Sequence, residues 1–376
     1  MLRLTVIPLL ALVVACSTAP TPLAPVSTPR PIPTLAADTP EPATATPTLV
    51  IATPIIYPTL APTTPTPESL SHNPIGLMLG PEALDIERRV ALVKGLGGAY
   101  FRPWDVKVDQ WDGQCGECGA IESSGLKVLL TVRANGDVNA PTIPPKDLST
   151  FKQTLAAILD KRQPEVLVVE NEENSAQLFY AGTPNDYAVE ERAACDIAHG
   201  RGVKCTNGGL VSDEVVLLTW AYDMDLGRSA QGCAFARRAL DARQAQVLCN
   251  ARAVGQLPMA LQDDLLRGRA LLKVYAGTGA DYLNFHWYVP DADALAEAVA
   301  YLRTATSLPV MSNEIGQQSD NADTPPLLLQ KALDLGLPYV IWYSVDSPRA
   351  HALTNADGSL RPAGDAFKAF MQTRFN

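Results

Sequence analysis

What the chain has little of already narrows its chemistry. Only four of its 376 residues are histidine, at 72, 199, 286 and 351, and no second Cys/His pair stands at the ligand spacing of a zinc site. Its 30 lysines and arginines form no cluster and are outnumbered by 40 acidic residues, which leaves a formal charge of −10. A polyanionic partner needs a basic face, so nucleic acid is excluded as a partner while neutral and cationic ligands stay open. There is no serine-centred nucleophile elbow. The runs Gly95-Leu96-Gly97-Gly98 and Gly277-Thr278-Gly279 end a helix and enter a strand. A dinucleotide loop does the reverse, following a strand and opening a helix. The expectation is no cofactor and no metal.

The first residues read Met-Leu-Arg-Leu and run apolar to Ala15, a charged start and a stretch too short for a permanent membrane span. Residues 1–15 are predicted to be an export signal. The run ends in LVVAC, which resembles the lipobox of bacterial lipoproteins and implies cleavage before Cys16 and its lipidation. The alternatives are an ordinary signal cleaved near Ala19 and a short uncleaved anchor. From there to about Ser71, proline and threonine make up roughly half of the residues, with almost no charge and one aromatic. Such a stretch cannot bury enough apolar surface to offset the entropy of ordering. Residues 16–71 are read as a disordered tether, with a polyproline II reach of at most ~170 Å.

Seven cysteines become six if Cys16 is lipidated, an even number suited to an oxidising compartment outside the cytoplasm. Their spacing suggests the local pairs Cys115–Cys118, Cys195–Cys205 and Cys233–Cys249, although six cysteines allow 15 connectivities. A metal or redox motif is the rival for Cys115-Gly-Glu-Cys118.

The remaining stretch, residues 72–376, suits one large α/β domain. Apolar runs of four to six residues read as buried parallel strands at Ile75–Leu79, Gly98–Arg102, Leu126–Val132, Glu165–Glu170, Val203–Asn207, Tyr282–His286, Pro309–Glu314 and Tyr339–Tyr343. Helical periodicity falls between them at Glu82–Lys94, Asp147–Arg162, Asn185–His199, Met259–Tyr275, Asp291–Thr304 and Pro325–Leu335, with Ala363–Gln372 closing the chain. The stretch from Ser212 to about Pro258 is too long for a simple crossover and should carry extra helices. Alternating units of this number predict a closed (β/α)₈ TIM barrel, because closure removes sheet edges.

In such a barrel the chemistry sits at the carboxyl ends of the strands. Two glutamates stand there, Glu172 after strand four and Glu314 after strand seven. Cleavage of a glycosidic bond with retention needs such a pair about 5–5.5 Å apart, one carboxyl protonating the leaving oxygen while the other attacks the anomeric carbon.

The arrangement resembles glycoside hydrolase clan A, whose members carry Asn-Glu after strand four and a nucleophilic Glu after strand seven. The carrying segments are VVENEEN, LPVMSNEIG, AYFRPW, DYLNFHWY and VIWYS, and they span the whole barrel. The resemblance implies Glu172 as acid/base, Glu314 as nucleophile and Asn171 as the contact for the sugar 2-hydroxyl. It further implies that Arg102 keeps Glu314 ionised, Tyr288 hydrogen-bonds it, His286 lines the same subsite and Trp342 forms an apolar floor. Asn135, with Arg133, is a further candidate at the end of strand three, and Trp104, Trp111 and Trp220 could stack on sugars. The clan carries Pro after the acid/base, where this chain has Glu173; Glu170 and Glu173 thus compete for the acid role. The expectation is a monomeric retaining glycosidase with a carbohydrate substrate, held at the membrane by its lipid. The alternative is a surface lipoprotein that binds a glycan without cleaving it.

Overall fold

The computed structural model describes residues 72–79, 84–136, 140–345 and 352–375; the export signal, Cys16 and the tether lie outside them. Eight parallel strands follow the apolar runs: β1 (Ile75–Met78), β2 (Tyr100–Arg102), β3 (Lys127–Arg133), β4 (Val166–Val169), β5 (Lys204–Asn207), β6 (Leu283–Trp287), β7 (Val310–Gly316) and β8 (Val340–Tyr343). Their order is β5-β4-β3-β2-β1-β8-β7-β6. Short bridges Thr206↔Tyr282 and Leu210↔Phe285 bring β5 alongside β6 and close the ring. The (β/α)₈ barrel is therefore present, with a two-residue strand, Val106–Lys107, added beside the end of β3.

The covering helices are α1 (Ile86–Gly95), α2 (Cys118–Ser124), α3 (Leu148–Arg162), α4 (Pro184–His199), α5 (Ser212–Asp225), α6 (Ser229–Ala239), α7 (Ala242–Asn250), α8 (Met259–Tyr275), α9 (Ala292–Thr306), α10 (Thr324–Asp334) and α11 (Pro362–Phe375). Caps explain several starts. Asp147 accepts from the Ser149 and Thr150 amides ahead of α3, and Thr183 and Asp186 form a reciprocal capping box at α4. The extra length after β5 holds α5, α6 and α7, with a Cys233–Cys249 disulfide joining the last two. The other pairs are Cys115–Cys118 and Cys195–Cys205, so all three local pairings occur. Helix α2 was not legible, because CGAIESS has one buried residue, Ile121, and no apolar stripe.

Two apolar layers hold the barrel. The larger lies between strands and helices and includes Leu77, Phe101, Leu167, Trp287, Trp342 and Phe367. The smaller fills the barrel itself with Met78, Tyr100, Leu129, Val166, Met311, Tyr339 and Ile341. Because strand side chains alternate between these layers, each position at a strand end faces either the barrel mouth or the helices.

Candidate active site

Glu314 stands near the end of β7, where the register against both neighbours shifts, between Ser312 and Ile315 on the β8 side. Such a bulge re-aims side chains. As a result the consecutive residues Asn313 and Glu314 both reach His286: Asn313 Oδ1 is 3.0 Å from Nε2, and Glu314 Oε2 is 3.5 Å from Nδ1. Arg102, at the end of β2, donates from Nη1 to Glu314 Oε1 at 2.6 Å and to the Asn313 carbonyl at 3.0 Å. Tyr288 donates its hydroxyl to Glu314 Oε2. Burial pushes the Glu314 carboxyl up, but His286, Arg102 and the two hydrogen bonds outweigh it and hold the carboxyl below its ordinary value.

Glu172 follows β4 on a tightly turned segment, with φ +66° at Glu170 and +46° at Glu172. Left-handed backbone at a non-glycine residue costs on the order of 1–3 kcal/mol and persists only where its surroundings enforce it. Here the enforcement is visible. The Ala134 amide donates to Glu170 Oε1 at 2.6 Å, the Ser175 amide donates to the Glu172 carbonyl at 2.8 Å, and Arg267 Nη2 donates to the carbonyls of Glu173, Tyr180 and Gly182 at 2.7–2.9 Å. The turn leaves Glu172 partly exposed, with Oε1 2.8 Å from His286 Nδ1. Asn171 receives a hydrogen bond at Oδ1 from Arg102 Nη2, 3.3 Å.

One carboxylate oxygen from each glutamate and a ring nitrogen of His286 lie within 4.8 Å of one another. Two carboxylates and an imidazole are also a donor set for a divalent cation, but here both Glu314 oxygens already accept hydrogen bonds, one of them from a guanidinium. That cation would repel a divalent ion at the same carboxylate.

The two acidic neighbours of the Asn-Glu pair are turned away. Glu170 is fully buried, accepts from the Ala134 amide and faces Glu190; burial pushes its carboxyl up to about 7. Glu173 is fully buried as well, accepting from Asn207 Nδ2 at 2.8 Å and from the Tyr275 hydroxyl. Arg133 donates to Thr142 and the Phe179 carbonyl. Asn135 is not brought into the cluster: its side-chain amide makes a two-point pairing with the backbone of Ile143, at 2.7 and 3.0 Å, which staples its own loop.

Trp342 requires a correction. Its side chain is 0% exposed and packs edge-on to Phe367 of α11 with centroids 5.8 Å apart, so it lies in the layer between strands and helices and not under a sugar. The neighbouring Tyr343 takes the opposite side and meets Tyr288 edge-on at 5.9 Å. Two-residue alternation along VIWYS carried this signal, since Ile341 and Tyr343 share a face. Trp220 is core too, and Trp111 lies under the Arg162 guanidinium, whereas Trp104 is exposed.

No protein-family model matches the sequence, and no curated protein does. Solved structures do resemble the fold. A glucosidase from Croceicoccus marinus is 13% identical with a TM-score of 0.55, the match covering 79% of this chain and 67% of that one. The exo-beta-1,4-mannosidase Op5Man5 from Opitutaceae bacterium strain TAV5 is also 13% identical, TM-score 0.51, covering 80% of this chain and 59% of that one. The chain thus spans about six-tenths to two-thirds of the length of these proteins, and the likeness extends to the barrel as a fold.

Proposed function

We propose that this protein is a retaining O-glycoside hydrolase that acts on a polysaccharide or glycoconjugate, with Glu314 as nucleophile and Glu172 as acid/base. The observation that carries the reading is that one oxygen of Glu172 and one of Glu314 lie within 4.8 Å of each other at the carboxyl ends of β4 and β7, a closeness that suits the directly attacking pair of a retaining enzyme, whose carboxyl groups stand about 5–5.5 Å apart. Arg102 and Tyr288 prepare Glu314 as an anion.

In the first step a Glu314 oxygen bonds to the anomeric carbon while the bond to the leaving oxygen breaks and takes the proton of Glu172. In the second, Glu172 removes a proton from water, whose oxygen displaces Glu314 and restores the anomeric configuration. Asn171, placed between Arg102 and the Glu172 turn, is suited to the sugar 2-hydroxyl. Retention of both carboxylates favours catalysis over simple glycan binding. Hydrolysis of a panel of aryl glycosides, with ¹H NMR of the first-formed anomer, tests the reading; inversion or complete inactivity across aryl glycosides and polysaccharides counts against it.

We further propose that the chain is exported and held at a bacterial membrane by a diacylated Cys16, two acyl chains giving durable anchoring where one does not. Metabolic labelling with an alkyne fatty acid should mark the protein and leave the Cys16→Ser variant unmarked. Equal labelling of both would contradict the anchor.

A further inference from the structure

Side-chain amides form an unbroken ladder across the mouth of the barrel, from β5 to β6 to β7. Asn207 Nδ2 donates to Glu173 Oε1 at 2.8 Å and to the Asn284 carbonyl at 2.9 Å, while Asn207 Oδ1 accepts from the Asn284 amide at 2.6 Å. Asn284 Oδ1 accepts from the Asn313 amide at 2.9 Å, and its Nδ2 donates to Asn313 Oδ1 at 2.7 Å. Every rung is buried.

Main-chain groups orient the Asn207 and Asn284 amides, and Asn284 in turn orients Asn313. Because the Asn313 amide is a donor, the atom of Asn284 facing it must be oxygen. Asn284 therefore presents nitrogen to Asn313, and the Asn313 atom it meets must be oxygen. That same oxygen is 3.0 Å from His286 Nε2, so Nε2 must carry a hydrogen. A neutral imidazole with hydrogen on Nε2 has only a lone pair on Nδ1, yet Nδ1 is 2.8 Å from Glu172 Oε1. A hydrogen bond there requires one proton between them, either as Glu172 carboxylic acid donating to Nδ1 or as imidazolium donating to carboxylate.

We propose that Glu173 is a positioning residue that anchors this ladder, fixing His286 in the Nε2–H form so that His286 and Glu172 hold the acid's proton jointly. Glu173 does so from the buried far end of the ladder. Its Oε1 accepts from both Asn207 and Tyr275, whereas its Oε2 is buried with no partner among the described residues. The groups around it are Tyr187 and Glu191 of α4, Tyr275 and Arg267 of α8, and His286 of β6; Arg267 spends its Nη2 on main-chain carbonyls, and burial pushes the Glu173 carboxyl up. A Cβ at Gly208 would stand 2.7 Å from Oε2, so a glycine there leaves the carboxyl its space. His286 itself is faced by Glu172, Glu314, Arg102 and Asp105. Burial pulls its pKa down, but the two glutamates outweigh that and raise it above the ordinary value.

The inference rests on the proposed hydrolysis only for the use of the proton, since the tautomer exists without substrate. ¹⁵N-histidine NMR of the intact protein, with its four histidines, reads it directly. Wild type should show protonated Nε2 together with a Nδ1 shift displaced toward the protonated range. Glu173→Leu should lose this signature and move the alkaline limb of the kcat profile toward acid by about half a unit, and Glu173→Gln, which can still accept at Oε1, should restore both. A Nδ1–H tautomer in wild type, a Glu173→Gln protein with altered tautomer, or a folded Glu173→Leu protein with unchanged shifts and profile would overturn the proposal. The expected tautomer in a protein that cleaves no glycoside would leave the inference standing and remove the functional reading alone.

Discussion

Arg102 Nη1 and Glu314 Oε1 meet at 2.6 Å inside the barrel, with the two side chains 1% and 9% exposed. Removing one partner of a buried pair leaves an uncompensated charge, and here that charge would be the carboxylate proposed to attack. Arg102→Met is therefore expected to lower kcat and to move the acid limb of the pH profile toward higher pH. The sign follows from Glu314, whose carboxyl is held below its ordinary value in part by Arg102; without the guanidinium it protonates at higher pH and leaves the reactive form sooner as the pH falls. Steady-state kinetics across pH check this, and an unmoved acid limb contradicts it.

Tyr288→Phe removes one hydrogen bond to the same carboxylate. A hydrogen bond to a charged group contributes about 1.5–3 kcal/mol, so kcat/KM should fall about 10- to 100-fold with the fold and melting temperature nearly unchanged. A loss confined to KM would place Tyr288 in uniform binding.

Glu172→Ala should cut activity most on substrates with poor leaving groups. Aryl glycosides that need no protonation should keep slow turnover, and added azide, which enters the vacated space as a nucleophile, should restore it with a glycosyl azide as product. Absence of rescue together with equal loss on all leaving groups would remove Glu172 from the acid/base role.

Stability should respond to pH through the carboxyls buried behind β4. Glu170 is raised to about 7, and Glu190 and Glu191 are also raised, chiefly by burial. A raised carboxyl binds its proton more tightly in the folded state. Stability is therefore lost as pH rises from the unfolded value near 4.3 through the folded one. The melting temperature should decline between about pH 5 and 7, and Glu170→Gln should flatten that decline. Equal slopes for the two proteins in scanning calorimetry contradict it.

Trp342 and Tyr343 separate packing from binding. Trp342→Ala should cost about 3–5 kcal/mol of stability, as for a fully buried aromatic, without raising KM in protein that remains folded. Tyr343→Ala should raise KM with little change in melting temperature. The opposite pattern would return Trp342 to the sugar-binding face.

These residues also show where the sequence was legible. The eight strands could be read because parallel barrel strands are buried on both faces and appear as continuous apolar runs such as Val166–Val169. Glu314, Arg102, His286 and Tyr288 could be placed because strand ends determine where chemistry gathers. The direction of a side chain at a strand end was harder, since a run apolar on both faces hides its alternation; Trp342 was misplaced for that reason. Asn135 looked like a site residue because a loop staple and a ligand contact have the same local sequence. The ladder through Asn207, Asn284 and Asn313 did leave a trace, as carboxamides inside otherwise apolar strands, but the connection between them exists only once the strands are adjacent.

The central claim is that Glu314 forms a covalent bond to the sugar, and trapping tests it most directly. Incubation with a 2-deoxy-2-fluoro glycoside of the best aryl substrate, followed by proteolysis and mass spectrometry, should yield one peptide bearing a glycosyl mass on Glu314. The Glu314→Gln variant should remain unlabelled. Labelling at another carboxylate, or no trapped species in a protein that turns over the parent substrate, would contradict the account.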